Sequence, residues 1–279
     1  MRKITLLAFL AIISHYISHN TNPETVESST QPMAASMVTL PKVTGNKDRM
    51  TVTRQNFEDH VRQLYGVIGL DSLLLNYEVF RLGVIGYYRM EKEGALNNTG
   101  LLTIIDFSRP STDKRFYTID LKRHKVKYHT YVAHGRNTGQ NMATKFSNIP
   151  HSNQSSLGFY VTGETYVGSK GYSLRLDGKE KSFNDKIRSR AVVIHAADYA
   201  TETWIKRYGR LGRSQGCPAL PPAISKEVIN TIKNKTAIFT YYPDEKYLNA
   251  SRYLRVEDLF QKLDETPIQL TVERPLSQA

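Results

Sequence analysis

The chain has 279 residues, enough for one large domain or two smaller ones. Hydrophobic residues make up 40% and charged residues 23%, which is ordinary for a soluble globular protein. The formal net charge of +12 implies an acidic partner in general, but no zinc-finger, homeodomain or RNP-type pattern points to nucleic acid.

The first 19 residues have the features of an export signal. Arg2 and Lys3 precede an uncharged apolar run from Ile4 to Ile13, which is too short for a comfortable membrane span of about 20 residues. Because no pair of small residues follows promptly, the sequence leaves open whether residues 1–19 form a cleaved signal peptide or an uncleaved N-terminal anchor. We expect an exported protein of the periplasm or cell envelope, whose excess of cations suits an anionic envelope polymer or serves solubility alone.

Two segments precede the predicted body of the protein. Residues 20–50 are rich in Ser, Thr, Pro and Asn and lack aromatic residues, which predicts a flexible linker. Residues 51–95 predict a helical segment packed on the body, because apolar residues recur there at helical spacing in two series. We expect a polar residue to cap each helix. The candidates are Thr53 or Asn56 for the first helix and Asp71 or Ser72 for the second.

The pattern changes at the turn over 95–100 to short runs of alternating polarity, which predict strands. One more helix is predicted over 224–234, and the run TAIFTYYP predicts a closing strand. The fold class expected is mainly β within an α+β architecture, with two or three N-terminal helices before a body over 96–262. We expect residues 263–279 to form a C-terminal tail.

Cys217 is the only cysteine and lies in the turn GRLGRSQGCPALPP, residues 209–222. A single cysteine in an exported protein cannot form an internal disulfide. A free thiol in an oxidising compartment therefore suggests a chemical role for this residue. A thiol has an ordinary pKa of about 8.5 and needs a neighbouring base or a positive environment to act as a nucleophile.

His195 is the candidate base, because it ends the β run RAVVIH shortly before the cysteine turn. The alternative is a structural histidine bonded to a backbone carbonyl. All eight histidines precede Cys217, and this order excludes the papain-like and NlpC-type peptidases, in which the cysteine comes first.

The turn around Cys217 contains several groups that would support such chemistry. Gly216 lets its own amide and that of Cys217 face a common point, as in an oxyanion hole. Ser214 can hydrogen-bond within the turn or to the histidine. Arg210 and Arg213 would supply positive potential for a thiolate and for a substrate carboxylate.

The run V-V-I-H-A followed by G-R-S-Q-G-C-P-A-L resembles the L,D-transpeptidase (YkuD-like) catalytic domain. It is most similar to the murein L,D-transpeptidase branch, which has a G-R-S-x-G-C-P-A turn. The segments 132–139, 155–178 and 241–254 also resemble that branch, so the likeness covers most of residues 100–255.

This resemblance implies a β-sandwich-like body in which Cys217 is the nucleophile and His195 its base. Ser214 would support the turn, and the amides of Gly216 and Cys217 would be the oxyanion donors. The implied reaction is attack on a peptidoglycan tetrapeptide stem at its third residue, loss of D-alanine, and transfer of the acyl group to an amine of another stem. Transfer to water would make the protein an L,D-carboxypeptidase only. Neither a metal nor another cofactor is required.

The chain departs from the commoner family pattern at the substrate-binding positions. Gln215 replaces the histidine of the usual turn, and no arginine follows Cys217 closely. We expect Arg213 or Arg210 to substitute for that arginine. Two further residues are candidates for the wall of the substrate cleft, with a plain structural role as the alternative for each: Tyr166 and His134. The spacing between His195 and the cysteine suggests an insertion over 201–212.

Two other classes of protein compete with this interpretation. A zinc peptidase needs three protein ligands, and His195 has Asp198 nearby but no second histidine after it. A non-catalytic peptidoglycan-binding module on the same fold would gain nothing from an exposed thiol.

Overall fold

The computed structural model describes residues 54–260, which belong to the unit Arg49–Ala279. Four features expected from the sequence lie outside the described residues: the signal or anchor over 1–19, the linker over 20–50, the cap candidate Thr53 and the tail over 263–279. No helix within 54–260 is long and apolar enough to cross a membrane.

Two helices open the described part of the chain. Helix α1 spans Arg54–Ile68, a short 3-10 turn spans Asp71–Leu73, and helix α2 spans Tyr77–Lys92. Each helix turns an apolar stripe toward the core, as the spacing predicted.

The helix caps differ from the sequence-based expectation. Asn56 lies inside α1 and does not cap it. Asp71 and Ser72 belong to the 3-10 turn, so the prediction that one of them caps the second helix is wrong. Asn76 is the cap of α2, because its extended backbone lets its side-chain oxygen accept a hydrogen bond of 2.8 Å from the amide of Glu78.

Within residues 54–260, eight strands form one sheet, which confirms the predicted mainly β, α+β class. The strands are β1 (Leu101–Asp106), β2 (Phe116–Asp120), β3 (Lys125–Thr130), β4 (Gly158–Gly168), β5 (Gly171–Gly178), β6 (Val193–Ala196), β7 (Ala219–Leu220) and β8 (Ala237–Tyr241). Their order in the sheet is β3-β2-β1-β8-β4-β5-β6-β7. The pairs β1/β8 and β6/β7 are parallel, and the other neighbours are antiparallel.

Four helices lie between or after the later strands. They are α3 (Glu202–Tyr208), α4 (Pro222–Ile232), α5 (Glu245–Ala250) and α6 (Glu257–Phe260). Helix α4 corresponds to the helix predicted over 224–234. Helix α3, which lies within the segment 201–212, was not predicted, because seven residues are too few to establish a helical period.

The sheet separates two apolar clusters. Helices α1 and α2 cover one face, where Phe159 of β4 stacks on Phe239 of β8 with their ring centroids 4.4 Å apart. A Cβ atom at Gly86 of α2 would lie 2.1 Å from the Phe159 ring, so only glycine allows this close approach. Helix α4 covers the opposite face. The N-terminal helices therefore share a core with the sheet.

The two ends of the strand order meet at a seam. After β3, Ala133 forms an isolated antiparallel bridge to Ala219 of β7, with an N–O distance of 2.9 Å from the Ala133 amide to the Ala219 carbonyl. Gly135 forms a second bridge, to Ser214. The sheet thus folds back on itself, and the cysteine turn lies at the place where its ends join.

Candidate active site

Cys217 lies directly before β7 and beside the start of β6. In the parallel pair β6/β7, His195 is the partner of Ala219, so Cys217 is level with Val193. The Cys217 Sγ accepts a hydrogen bond from the Val193 amide at 3.4 Å. The sulfur is half-buried against the apolar cluster beneath α4, and this burial raises the pKa of the Cys217 thiol.

His195 is buried on β6, two residues beyond Val193. Its Nδ1 lies 2.8 Å from the carbonyl oxygen of Ala196. Because a carbonyl oxygen only accepts, Nδ1 carries the proton and Nε2 keeps the lone pair. Burial lowers the pKa of His195, opposed by the bond to Ala196, so the ring is neutral near pH 7 and Nε2 can accept a proton.

The two candidate catalytic side chains are neighbours but are not bonded. Two residues of strand separate the level of Cys217 from that of His195, a rise of about 6–7 Å. Within residues 54–260, no hydrogen bond joins the His195 ring to the Cys217 sulfur. The sulfur instead lies at the amide of Val193.

A row of paired residues places Tyr166 on the same face of the sheet as His195. Tyr166 pairs with Ser173, Ser173 with His195, and His195 with Ala219. Residues paired in this way point to one face. Tyr166 is therefore two strands, or about 10 Å, from the histidine, and the Arg175 guanidinium lies 4.3 Å from the centroid of its ring.

The segment 198–212 lies against the same face. Ala219, in the row of His195, packs in an apolar cluster with Ala200, Leu211 and Tyr199. A Cβ atom at Gly212 would lie 2.3 Å from the Cβ of Tyr199, so this glycine is needed for the close packing of the segment on itself. The segment 201–212, for which the sequence predicted an insertion, thus packs beside β7, the neighbour of the strand that carries His195.

Ser214 holds the cysteine turn together from within. Its hydroxyl donates to the Cys217 carbonyl oxygen at 2.6 Å and accepts from the Gly216 amide at 3.0 Å. Gly216 has a φ of 121°, in the region that favours glycine, and a Cβ atom there would lie 2.9 Å from the carbonyl oxygen of Gln154.

These bonds change the expectation for the oxyanion donors. The Gly216 amide is already engaged by Ser214, so it is not an open donor as the sequence analysis expected. The Cys217 amide donates to no acceptor within residues 54–260. Of the expected pair, Cys217 alone offers an unengaged N–H.

The arginines of the turn have other partners. The Arg213 Nη1 donates to the carbonyl oxygens of Arg136 and Gly139 at 3.0 and 3.2 Å. The Arg210 Nη1 donates to the carbonyl oxygen of Leu211 at 2.7 Å. Gln215 is exposed at the tip of the turn.

Two other cations act on the sulfur. Arg190, just before β6, and Lys170, in the turn between β4 and β5, both lower the pKa of the Cys217 thiol against the larger effect of burial. Lys170 also lowers the pKa of His195. The expectation that Arg210 and Arg213 favour the thiolate and bind a substrate carboxylate stays a prediction. No sequence motif contains Arg190 or Lys170, and their effect on the sulfur depends on distance in space, which the sequence does not show.

His134 supports the turn from behind and does not line a cleft. It is 1% exposed, and its Nδ1 accepts from the Arg115 Nη2 at 2.8 Å while its Nε2 donates to the Gly139 carbonyl oxygen at 3.3 Å. Burial and the neighbouring Arg115 lower the pKa of His134 to about 3. Its own carbonyl oxygen accepts from the Ser214 amide. The assignment of His134 to the substrate cleft is corrected accordingly.

Arg115 is fully buried beside His134, and no sequence motif had pointed to it. Besides His134, its guanidinium donates to the carbonyl oxygens of Val132 and Arg109. This network fixes the backbone on the far side of the seam. Among residues 54–260, no group of three or more His, Cys, Asp or Glu side chains is arranged to hold a metal ion.

Comparison with protein families gives a match to the model of the L,D-transpeptidase catalytic domain over residues 72–241. The match covers more than half of the chain and includes His195 and Cys217. Among curated proteins, no match is found.

Several solved structures are similar to part of the chain. One is the L,D-transpeptidase from Mycobacterium smegmatis (11% identity, 51% of this chain and 59% of that chain, TM-score 0.33). Another is L,D-transpeptidase 3 from Mycobacterium tuberculosis in complex with a faropenem-derived adduct (13% identity, 51% and 60%, TM-score 0.32). A third is the L,D-transpeptidase from Xylanimonas cellulosilytica (13% identity, 52% and 62%, TM-score 0.30). The chain spans less than two thirds of the length of each.

Proposed function

Because this chain belongs to the L,D-transpeptidase catalytic domain family, we propose that it is a cysteine-dependent peptidoglycan L,D-transpeptidase that acts on tetrapeptide stems through an acyl-enzyme. We also propose that it is exported to the periplasm or cell envelope, where such stems occur. Its excess of cations suits the anionic polymer that carries them.

The proposed first step transfers the thiol proton of Cys217 to Nε2 of His195. The sulfur attacks the carbonyl carbon of the third stem residue and forms a thioester, and the amide bond to D-alanine breaks. The proton on His195 passes to the departing amine of D-alanine. In the second step an amine of another stem attacks the thioester, gives up a proton through His195, and leaves a cross-link and the free thiol.

The observation that carries this proposal is that His195 lies two residues along β6 from the amide of Val193 that holds the Cys217 sulfur. The His195 Nδ1–H is committed to Ala196, so the ring is fixed in the tautomer whose Nε2 accepts a proton. The same strand holds the sulfur two residues away, through the amide of Val193. For the reaction, the sulfur must leave that amide and turn toward the ring.

The oxyanion of the tetrahedral intermediate is proposed to bind the unengaged amide of Cys217. One such donor contributes about 3 kcal/mol to transition-state stabilisation. The Gly216 amide would join it only by releasing the Ser214 hydroxyl.

The acceptor decides between transpeptidase and L,D-carboxypeptidase, because both share the same thioester. A third possibility, a non-catalytic module, predicts no thioester. The protein is incubated with purified sacculi or with a tetrapeptide and an amine, and the products are analysed by mass spectrometry. This experiment distinguishes the transpeptidase from the carboxypeptidase. A cross-linked dimer indicates transfer, and a tripeptide alone indicates hydrolysis.

The proposal is tested with imipenem, a carbapenem that acylates a nucleophilic thiol. Intact-mass spectrometry of the full-length protein is expected to show a gain equal to one imipenem, and the Cys217→Ala variant is expected to show none. Release of D-alanine from tetrapeptide is expected from the wild type only. A wild-type protein that takes no adduct and releases no D-alanine would rule out catalysis.

A further inference from the structure

Arg190 joins the back of the cysteine turn to the segment 147–156. Its Nη1 donates to the Ser147 carbonyl oxygen at 2.7 Å and to the Ser156 hydroxyl at 2.6 Å. Its Nη2 donates to the Gln154 carbonyl oxygen at 2.7 Å and to the Ser152 hydroxyl at 3.2 Å. One guanidinium group thus holds four points of a segment that has no regular secondary structure.

The guanidinium also lies directly behind the residue that precedes Cys217. A Cβ atom at Gly216 would lie 3.6 Å from the Arg190 Nη2 and 2.9 Å from the Gln154 oxygen that the same Nη2 binds. Ser155 completes this contact, because its hydroxyl donates to the Gly216 carbonyl oxygen at 3.2 Å. The segment held by Arg190 is therefore the surface on which the cysteine turn rests.

The charge of Arg190 has no carboxylate partner among the described residues, since all four of its acceptors are neutral. Arg188, two residues earlier, differs in this respect. It is more exposed and pairs with Asp177 and Glu164. The positive charge of Arg190 therefore opposes the effect of burial at the sulfur. Burial is the largest cause at both groups: it raises the pKa of Cys217 and lowers the pKa of Arg190, and the attraction between the two groups opposes both shifts.

We propose that Arg190 is a positioning residue for Cys217 that also supplies the fixed positive charge favouring its thiolate. The proposal deepens the proposed function, since the thiolate is the form that would attack the stem peptide. Arg190 acts through the turn and through its field. Its four hydrogen bonds hold the guanidinium group against the segment 147–156, next to Gly216.

The other titratable groups around the sulfur are Lys170, His195 and Tyr199. Lys170 acts in the same direction as Arg190. His195 is neutral, as argued above. Burial, with a smaller contribution from Cys217, raises the pKa of Tyr199 to about 12, so its phenol carries no charge at neutral pH. Arg190 is the cation with the larger effect on the thiol.

The test is the pH dependence of alkylation of the sole cysteine by iodoacetamide in the full-length protein. Arg190→Met is expected to move the midpoint of the alkylation profile upward by about one pH unit, and so to slow alkylation near pH 7 by about tenfold. The matched control, Arg188→Met, is expected to keep the wild-type profile. An unchanged profile in a folded Arg190→Met protein, or an equal shift in the control, would overturn the proposal.

A second variant distinguishes the effect of the Arg190 charge from the effect of its four hydrogen bonds. The same variant keeps the test available if Arg190→Met does not fold. Arg190→Lys keeps the charge but not the forked hydrogen bonds. Its alkylation midpoint is expected to stay near that of the wild type, while hydrogen exchange in 147–156 becomes faster. Unchanged exchange there would overturn the positioning role, and a midpoint shift as large as that expected for methionine would overturn the role of the charge.

Alkylation requires no stem peptide, so this test is independent of the proposed reaction. If Arg190→Met shifts the alkylation midpoint as expected but the wild type takes no imipenem adduct, the proposed function alone is contradicted. If the wild type takes an imipenem adduct but Arg190→Met leaves the alkylation midpoint unchanged, this inference alone is contradicted.

Discussion

The hydroxyl of Ser214 binds Cys217 through its carbonyl oxygen, at 2.6 Å, and so closes the turn that presents the sulfur. The Ser214 hydroxyl oxygen also accepts a hydrogen bond from the amide of Gly216, so Ser214 connects two backbone groups within the turn. The serine of the G-R-S-Q-G-C run therefore serves the backbone of the turn, and the imidazole of His195 is oriented by a different group, the Ala196 carbonyl.

Ser214→Ala is expected to destabilise the protein, because it leaves a buried amide and a carbonyl without their partner. The free energy of unfolding should fall by about 1–3 kcal/mol, measured by urea denaturation. Ser189→Ala is the control, since its hydroxyl bonds at an exposed site, to Lys186. Equal stability of the two variants would contradict the bracing role.

Cys217→Ala and His195→Ala are each expected to remove nearly all release of D-alanine, by about a thousandfold or more. Because the two side chains act as one unit in the proposed mechanism, the double variant should be scarcely slower than either single variant. Turnover by all three proteins gives the measurement. Losses that multiply in the double variant would show that the two residues act independently.

The pH–rate profile should reflect the lowered pKa of His195. The base is active in its neutral form, so activity is lost as the pH falls through the pKa of the ring. Because burial moves that pKa below its usual value of 6.5, the acidic limb of kcat/KM should lie below pH 6.5. An acidic limb above pH 7 would contradict the neutral resting state of the ring.

Glu180 should make the stability of the protein depend on pH. It is a buried carboxyl group that accepts from the Phe159 amide at 2.7 Å, from the Tyr247 hydroxyl at 2.9 Å and from the Ser251 hydroxyl. Burial raises its pKa in the folded protein, so the folded state binds the proton more tightly than the unfolded chain does. Its contribution is fully present below the unfolded pKa and is lost as the pH rises through the folded pKa.

Glu180→Gln removes this titration while keeping the size of the side chain. Relative to this variant, the wild type should lose stability as the pH rises above the ordinary carboxyl pKa of 4.5, as measured by urea denaturation over a series of pH values. A difference between the two proteins that does not change with pH would mean that Glu180 has the same pKa in the folded and unfolded states.

Much of the architecture could be predicted from local patterns. The helical spacing before residue 95, the alternating runs after it and the helix near 224–234 correspond to α1, α2, most of the sheet and α4. The helix caps were harder to predict, because the start of a helix depends on single side-chain hydrogen bonds such as that of Asn76. Helix α3 was not predicted because it is too short to establish a helical period.

By itself, the sequence determined which groups are candidates for the chemistry: one thiol, an upstream imidazole at the end of a β run, and a turn with a serine and three glycines. These assignments of catalytic roles stay predictions. Only the tertiary structure decided which charges reach the sulfur and which amides are open. Arg190 and Lys170 act there, and Arg210 and Arg213 bind backbone carbonyls. The physical reason is that a field depends on distance through space, and distance at this seam is set by the packing of segments that are far apart in the chain.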